Sequence, residues 1–552
     1  MTLAPTSPRQ RRGLVSVARM LRTLPGIILA LHQDAPATGR EQSTVVNAHG
    51  NHRVGRGVLS SMRSITVSLK SLARSRDRSK PAASSATRSD WLSCAVCVAL
   101  SVAFWWMFYP TVFSRDAFYM LLDAVYAGYT DMHPLLVPIA VSAVFKLGGD
   151  IGLVTLAQVL LGFLGIRRLV LALSRYVGLR ETRTSELIVV AVLGILASPL
   201  TPLSIYMATL WSDTWLSILL LWFLALILEL REETFNGFDA ASRIGFAVVL
   251  VSLVLLVRYN AVVLYPVLAA LLFLVLRRYV PNKLAKIALV VLPAVAAASF
   301  LATQYAVHNI RREHPERAVF ALDLASMILR DPRICQNLSL QSCELVLQEF
   351  FPAFRVGNGA IDLTFSQANQ FQYQPFLDLF FFPRLETEYL MAASEHPGLL
   401  IRVKLLNFID YILPNAHQYF FQSRIIPEDA RYLPEQTFVA PDTPWFFAAR
   451  QVYWSPWLSW FSYVHVVWML VCALGIVAFG VQAWVRLDDR AAFILGLLLV
   501  PASYYGSYLI ALTTSEFRFM YPSTLLVQVG MLTFLGCASV GAIKRLRSLR
   551  QM

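Results

Sequence analysis

The stretch "TWLSILLLWFLALILEL" (Thr214–Leu230) contains seventeen residues, of which only Glu229 is charged. A helix of this length rises about 26 Å, which is close to the ~30 Å of hydrocarbon in a bilayer. Similar apolar runs recur along the 552 residues, which are 57% hydrophobic and 15% charged. Because a helix satisfies its own backbone hydrogen bonds in lipid, the sequence predicts an all-α polytopic membrane protein.

About ten transmembrane helices are predicted, together with interfacial helices and a helical cap on the outer face. The short apolar segment His133–Lys146 is predicted to lie on or dip into the outer leaflet without crossing. The predicted spans are 91–113, 151–173, 186–207, 214–230, 243–257, 259–277, 284–307, 458–485, 491–511 and 518–541.

Basic residues set the predicted orientation. Residues 1–90 contain 15 Lys or Arg and 4 Asp or Glu, so they carry +11 of the net +14, and no nucleic acid is needed to explain the charge. A disordered tail of this kind is typical of the cytoplasmic side. If His133–Lys146 does not cross, most basic connectors fall on the same side as this tail. Both termini are then cytoplasmic.

Four domains follow from this layout: the tail 1–90, a membrane module 91–307 with outer loop 114–132, a periplasmic cap 308–457, and C-terminal helices with a basic end, 458–552. In the cap, helices are predicted over Leu322–Asp331 and Arg384–Leu413, the latter restarting at Pro397. Cys335 and Cys343 could pair in an oxidising compartment, and free thiols remain an equal alternative.

Four polar clusters fall on the predicted outer face: Ser114–His133, Thr209–Asp213, Arg258–Asn260 and Ser515–Arg518. Burying charged side chains near the membrane costs free energy. Acids and bases from four distant parts of the chain converge on one face, which favours a functional site over charges that lie harmlessly at span ends. No phosphate-binding loop, dinucleotide fingerprint or zinc motif occurs in the sequence.

Asp116 and Asp123 lie on a predicted helix over 116–128. Seven residues separate them by about 10 Å, so only one of the two is expected to be catalytic. The acids share a face with Met120 that should point to a cavity or water. The opposite, apolar face is formed by Phe118, Leu121, Leu122, Val125 and Tyr129.

Two acids and two arginines on one face suit a reaction with a phosphate leaving group. A carboxylate, from Asp116 or Asp213, would take the proton of the nucleophile. Arg258 and Arg518 would stabilise the negative charge on the phosphate, because the guanidinium makes bidentate bonds to it.

The motifs resemble those of the GT-C superfamily of membrane glycosyltransferases. They are "RDAFYMLLDAVYAGYTDMHPLL" (Arg115–Leu136), "TLWSD" (Thr209–Asp213), "RYNA" (Arg258–Ala261) and "EFRFMYP" (Glu516–Pro522). Leu135 stands where the family has a second proline, and Phe519 where tyrosine is common, which leaves the subfamily and the acceptor open.

The resemblance implies inverting transfer of a sugar from a polyprenyl-phosphate donor to a lipid, glycan or protein acceptor, at the outer face of a bacterial inner membrane. It implies Asp116 as the base, Asp213 as support for the acceptor or a metal, and Arg258 and Arg518 as ligands of the donor phosphate. A divalent metal is possible and no metal ligands are assigned. Supporting roles are predicted for Asp123, Asp131, His133, Asn260 and Glu516.

Two other classes of function stay open. A transporter or flippase of lipid-linked sugars would be expected to show internal repeats and charges in mid-membrane. A surface-glycan polymerase or ligase would use outer-face arginines and depend less on Asp116. His133 could act as an acid or base because its ordinary pKa lies near neutrality, or it could simply cap the following helix.

Overall fold

The computed structural model describes residues 91–112, 115–126, 128–131, 133–179, 181–308, 310–350, 378–412, 448, 451–452, 455, 464–511 and 520–551. These residues form a helical bundle with a smaller helical domain, and they contain no β-strand. The predicted tail 1–90 lies outside the described residues.

Seventeen α-helices are numbered here in chain order within the described residues. They are α1 Trp91–Phe108, α2 Arg115–Tyr126, α3 Leu136–Lys146, α4 Ile151–Tyr176, α5 Thr182–Ala197, α6 Leu203–Ala208, α7 Ser212–Glu232, α8 Gly237–Val257, α9 Tyr265–Tyr279, α10 Lys283–His308, α11 Arg317–Arg330, α12 Leu340–Leu345, α13 Leu385–Glu395, α14 Pro397–Ile412, α15 His465–Arg486, α16 Asp489–Ala511 and α17 Tyr521–Gln551.

Within the described part of the chain, nine helical segments are long and apolar enough to cross a membrane. They confirm a polytopic helical membrane protein. The helix α7, which contains the stretch Thr214–Leu230, is the most enclosed of them, with 78% of its apolar window buried. The corresponding figure for α10 and α15 is 11%, so these two helices lie at the periphery of the bundle.

The predicted span 186–207 is not one continuous helix. The helix α5 ends at Ala197 and α6 begins at Leu203. Pro199 and Pro202 lie in or beside this interval, and proline removes a backbone donor and disfavours helix at the residue before it. The described residues therefore show nine long spans where about ten were predicted, with the tenth replaced by two shorter helices.

One end of the bundle, here called the basic end, collects basic connectors. Lys544 Nζ binds Glu181 Oε2 at 2.8 Å. Five residues further on, Glu186 Oε2 accepts a hydrogen bond from the backbone N of Ser93 at 2.9 Å. The start of α1, the start of α5 and the end of α17 therefore meet here.

The opposite end is called the capped end. The backbone N of Val112 donates to the carbonyl of Ala208 at 3.0 Å, and that of Asp131 donates to the carbonyl of Arg311 at 3.1 Å. Since Glu186 lies at the basic end and Ala208 at the capped end, the broken segment α5–α6 still runs from one end of the bundle to the other.

The helix α3 begins and ends at the capped end. Just before it, the carbonyl of His133 accepts a hydrogen bond from Tyr259 Oη at 3.1 Å. Just after it, Asp150 Oδ2 accepts one from Tyr109 Oη at 3.1 Å, beside the end of α1. Eleven residues rise only about 16 Å, which is too short to cross. The prediction for His133–Lys146 agrees with this geometry.

The packing of α2 corrects the predicted assignment of its faces. Ala117, Met120, Leu121 and Ala124 are buried, with Met120 only 2% exposed, whereas Val125 is 40% exposed. At 100° per residue, the centre of the buried face is turned about 105° from the centre of the predicted apolar face. The prediction placed Met120 on the face of the acids, which was expected to point to a cavity or water, whereas Met120 packs into the bundle. Lipid and bundle both accept apolar side chains, so hydrophobicity did not tell them apart.

In the described part of the chain, the cap includes residues 310–350 and 378–412, and these residues contain an apolar core separate from that of the bundle. Its predicted helices are confirmed: α11 covers most of Leu322–Asp331, and α13 and α14 meet at Pro397. Cys335 and Cys343 form a disulfide in it. Lys404 pairs with the buried Asp323 at 2.6 Å and also donates to the carbonyl of Ile510, which ties the cap to α16.

Candidate functional site

A buried ion pair lies at the capped end of the bundle. Asp213 is in the first turn of α7, where the helix dipole favours a negative charge, and is 1% exposed. Arg258 occupies the extended residue between the end of α8 and the 3₁₀ helix Tyr259–Leu264. Its Nε lies 3.2 Å from Asp213 Oδ1, and its side chain is 18% exposed.

Hydroxyl groups of α7 and α16 complete this cluster. Arg258 Nη1 donates to Ser212 Oγ at 3.1 Å. From α16, Tyr504 Oη donates to Asp213 Oδ1 at 3.4 Å and lies 3.0 Å from Tyr508 Oη. The side chain of Asn260 is hydrogen-bonded to Tyr508. The ends of three membrane helices thus contribute to one polar network.

The geometry gives Asp213 and Arg258 different positions in the site. The Asp213 carboxylate is enclosed, and it neutralises and orients Arg258. A carboxylate held in this way is poorly placed to reach a substrate, whereas the more exposed Arg258 lies nearer the surface of the network. The catalytic role of Asp213 stays a prediction.

A second polar cluster lies beside the first and is connected to it through the chain, since Tyr259 follows Arg258. Tyr259 Oη donates to the carbonyl oxygens of Asp131 and His133, at 2.9 and 3.1 Å. Asp131 Oδ1 accepts a hydrogen bond from the backbone N of Glu313. The outer loop, the 3₁₀ helix and the first residues of the cap therefore form one joint.

Asp123 on α2 also belongs to this joint, because it interacts with Glu313 and with the backbone of Thr130. Burial, and to a smaller extent the nearby negative charge of Glu313, raise the pKa of Asp123 to about 7, although a hydrogen bond from the backbone of Thr130 lowers it. A carboxyl group whose pKa lies near neutrality is a candidate general base, and such shifts are common at functional sites.

The predicted site residues fall into four sets. The structure brings Asp213, Arg258 and Asn260 into one network, and it joins Asp131 and His133 through Tyr259. Asp116 lies in the first turn of α2, two helical turns from Asp123. Glu516 and Arg518 lie outside the described residues. Among the residues whose side chains are described, no three His, Cys, Asp or Glu come together as metal ligands.

The sequence predictions missed the tyrosines of the network. Tyr504 and Tyr508 occur in "SYYGSY" (Ser503–Tyr508) within a predicted span and are fully enclosed. Their spacing of four places both on one helix face. A run of tyrosines inside an apolar span is the sequence signal that could have identified them, because a buried phenol needs a hydrogen-bond partner.

No protein family, curated protein or solved structure matches this chain. The fold and the described residues define a polytopic helical membrane protein with a buried ion pair and tyrosine network at one end of its bundle.

Proposed function

We propose that this protein is an inverting membrane glycosyltransferase that takes a sugar from a polyprenyl-phosphate donor. The observation that carries the proposal is the Asp213–Arg258 pair, at the same end of the bundle as the acidic helix α2 and the cap. An arginine held by a buried carboxylate keeps a fixed orientation, which is what recognition of a phosphate requires.

The reaction assigns a separate role to each group. A carboxylate of α2 removes the proton of the acceptor hydroxyl or amine. The acceptor atom forms a bond to the anomeric carbon, and the bond from that carbon to the phosphate oxygen breaks. The electron pair leaves with the polyprenyl phosphate. Arg258 stabilises the charge that develops on the departing oxygen, and Arg518 is proposed to assist it.

The base is Asp116 or Asp123. Asp116 is favoured by the family resemblance, and Asp123 by its pKa of about 7. If Asp123 is the base, the transfer rate should rise with pH through about 7, because only the deprotonated carboxylate can accept the proton.

The disulfide Cys335–Cys343 supports a periplasmic location for the cap, because such bonds persist in oxidising compartments. The proposed orientation has both termini in the cytoplasm, as the basic tail favours. The acceptor is a lipid, glycan or protein. The protein itself is in contact with membrane lipids.

The test is transfer of a labelled sugar from a short-chain polyprenyl-phosphate donor by the purified chain, with Asp116→Asn, Asp123→Asn and Arg258→Gln variants. Loss of the general base should lower the rate roughly 10²- to 10⁴-fold. Asp239→Asn, an exposed acid at the other end of the bundle, is the matched control and should keep full activity. Undiminished transfer in both α2 variants would refute the proposed mechanism.

One observation favours the second candidate, a flippase of lipid-linked sugars. The break between α5 and α6 resembles the discontinuous helices that transporters use to bind substrates. In reconstituted vesicles, a flippase would move the labelled donor between leaflets without releasing polyprenyl phosphate. A glycosyltransferase would release it only when an acceptor is present.

A further inference from the structure

A groove of about 320 Å³ lies at the basic end, far from the proposed site. Its walls come from α4, α7 and α8. On α4, Leu164, Arg168, Leu171 and Arg175 repeat at spacings of three and four, so they lie on one helix face. The groove therefore follows the helix axis.

The groove changes in character along its length. Leu164 and Trp222 lie toward the middle of the bundle, whereas Arg175 and Glu233 lie near the helix ends. Leu164 and Arg175 are eleven positions apart, as are Trp222 and Glu233, and eleven helical residues rise about 16 Å. Moving outward from the bilayer centre, the lining changes from apolar to charged. An amphipathic ligand would match this gradient.

The charged section holds a surplus of arginine. Glu229 binds Arg168 through both carboxylate oxygens, at 2.7 and 2.6 Å, and also accepts from Arg243. One carboxylate thus serves two guanidinium groups. Together with Arg167, which pairs with Glu186, and Arg175, which pairs with Glu233, four arginines face three glutamates.

Trp222 connects the two sections of the groove. Its Nε1 donates to the carbonyl of Leu161 at 2.9 Å, and the guanidinium carbon of Arg168 lies 5.0 Å from its ring centroid. The indole fixes Arg168 over an apolar floor.

We propose that this groove binds the headgroup of an anionic phospholipid, with its acyl chains along the Leu164–Trp222 section. An unbalanced cation at this depth is costly, and a phosphodiester supplies the missing negative charge. The planar forks of the arginines suit phosphate oxygens. Basic pockets between membrane helices bind anionic lipids in the same manner.

The test measures binding of phosphatidylglycerol and phosphatidylcholine with identical acyl chains to the delipidated full chain in detergent, by native mass spectrometry. The variant Arg175→Gln/Arg243→Gln removes two charges and leaves Glu229 paired with Arg168. Each charge should contribute about fivefold, so affinity for phosphatidylglycerol should fall about 25-fold. The control Arg490→Gln/Lys544→Gln removes two exposed charges at the same end and should change affinity less than twofold.

Three results would overturn the proposal. They are equal binding of the two lipids, an equal loss in the control variant, and competition by water-soluble glycerophosphoglycerol at the concentration of the lipid, which would indicate a plain phosphate site. If the double variant does not fold, brominated phosphatidylglycerol decides the question. It should quench a fraction of tryptophan fluorescence that is absent in Trp222→Phe, and an unchanged fraction would refute the proposal.

Discussion

The coupling free energy between Asp213 and Arg258 can be measured with a double-mutant cycle. The variants are Asp213→Asn, Arg258→Gln and the two combined. Asparagine keeps the size of the aspartate and an oxygen for Tyr504, so Asp213→Asn removes the charge with little change in packing.

The magnitude follows from the distance and the burial of the two groups. Charges 3.2 Å apart attract by about 5 kcal/mol at an effective dielectric constant near 20. Deleting one partner leaves the other charge enclosed and unpaired, which typically costs about 3–5 kcal/mol. Deleting both partners removes that penalty. The double variant should therefore lose less stability than the sum of the losses in the two single variants. We expect a coupling free energy of about 3 kcal/mol.

The measurement is reversible unfolding of the purified chain in mixed micelles, followed by tryptophan fluorescence. The control cycle uses Arg175→Gln and Glu233→Gln, a pair whose side chains are 49% and 38% exposed. Such exposed pairs couple by about 0–1 kcal/mol. A coupling for Asp213 and Arg258 below about 0.6 kcal/mol, the average for polar contacts between membrane helices, would refute the structural role assigned to Asp213.

Three other predictions concern the outer loop, the cap and the orientation of the chain. Because the pKa of Asp123 rises from 3.8 to about 7 on folding, the folded state keeps the proton up to a higher pH than the unfolded state does. The free energy of unfolding should therefore fall as pH rises from about 4 to about 7. Asp123→Asn should flatten this slope in thermal unfolding scans. Replacing Cys335 and Cys343 with serine opens a loop of sequence separation 8 and should lower the stability of the cap by about 2.5 kcal/mol. Limited proteolysis of the cap should then be faster, and an unchanged rate would contradict this. In a background without free cysteines, an impermeant thiol reagent added outside should label Tyr126→Cys and spare Val177→Cys, both exposed in the fold, and the reverse pattern would invert the proposed orientation.

Local features of the candidate site were readable from the sequence. The acid at the start of α7, the arginine at the break after α8 and the acidic helix α2 all follow from charge placed beside apolar runs. The tyrosines could not be assigned in the same way. Tyr504 meets Asp213 across 291 residues of chain, and no local pattern gives that register.

The sequence by itself determined that the chain crosses a membrane, where most spans begin and end, and that a helical domain lies between them. These follow from the length of apolar runs and from proline and charge at their ends, which act locally. Only the tertiary structure decided which face of α2 packs inward, that 186–207 is broken, and that Asp213 is enclosed with Arg258. Lipid and protein interior are equally apolar, so hydropathy places a helix in the membrane but leaves its neighbours and its rotation to side-chain packing.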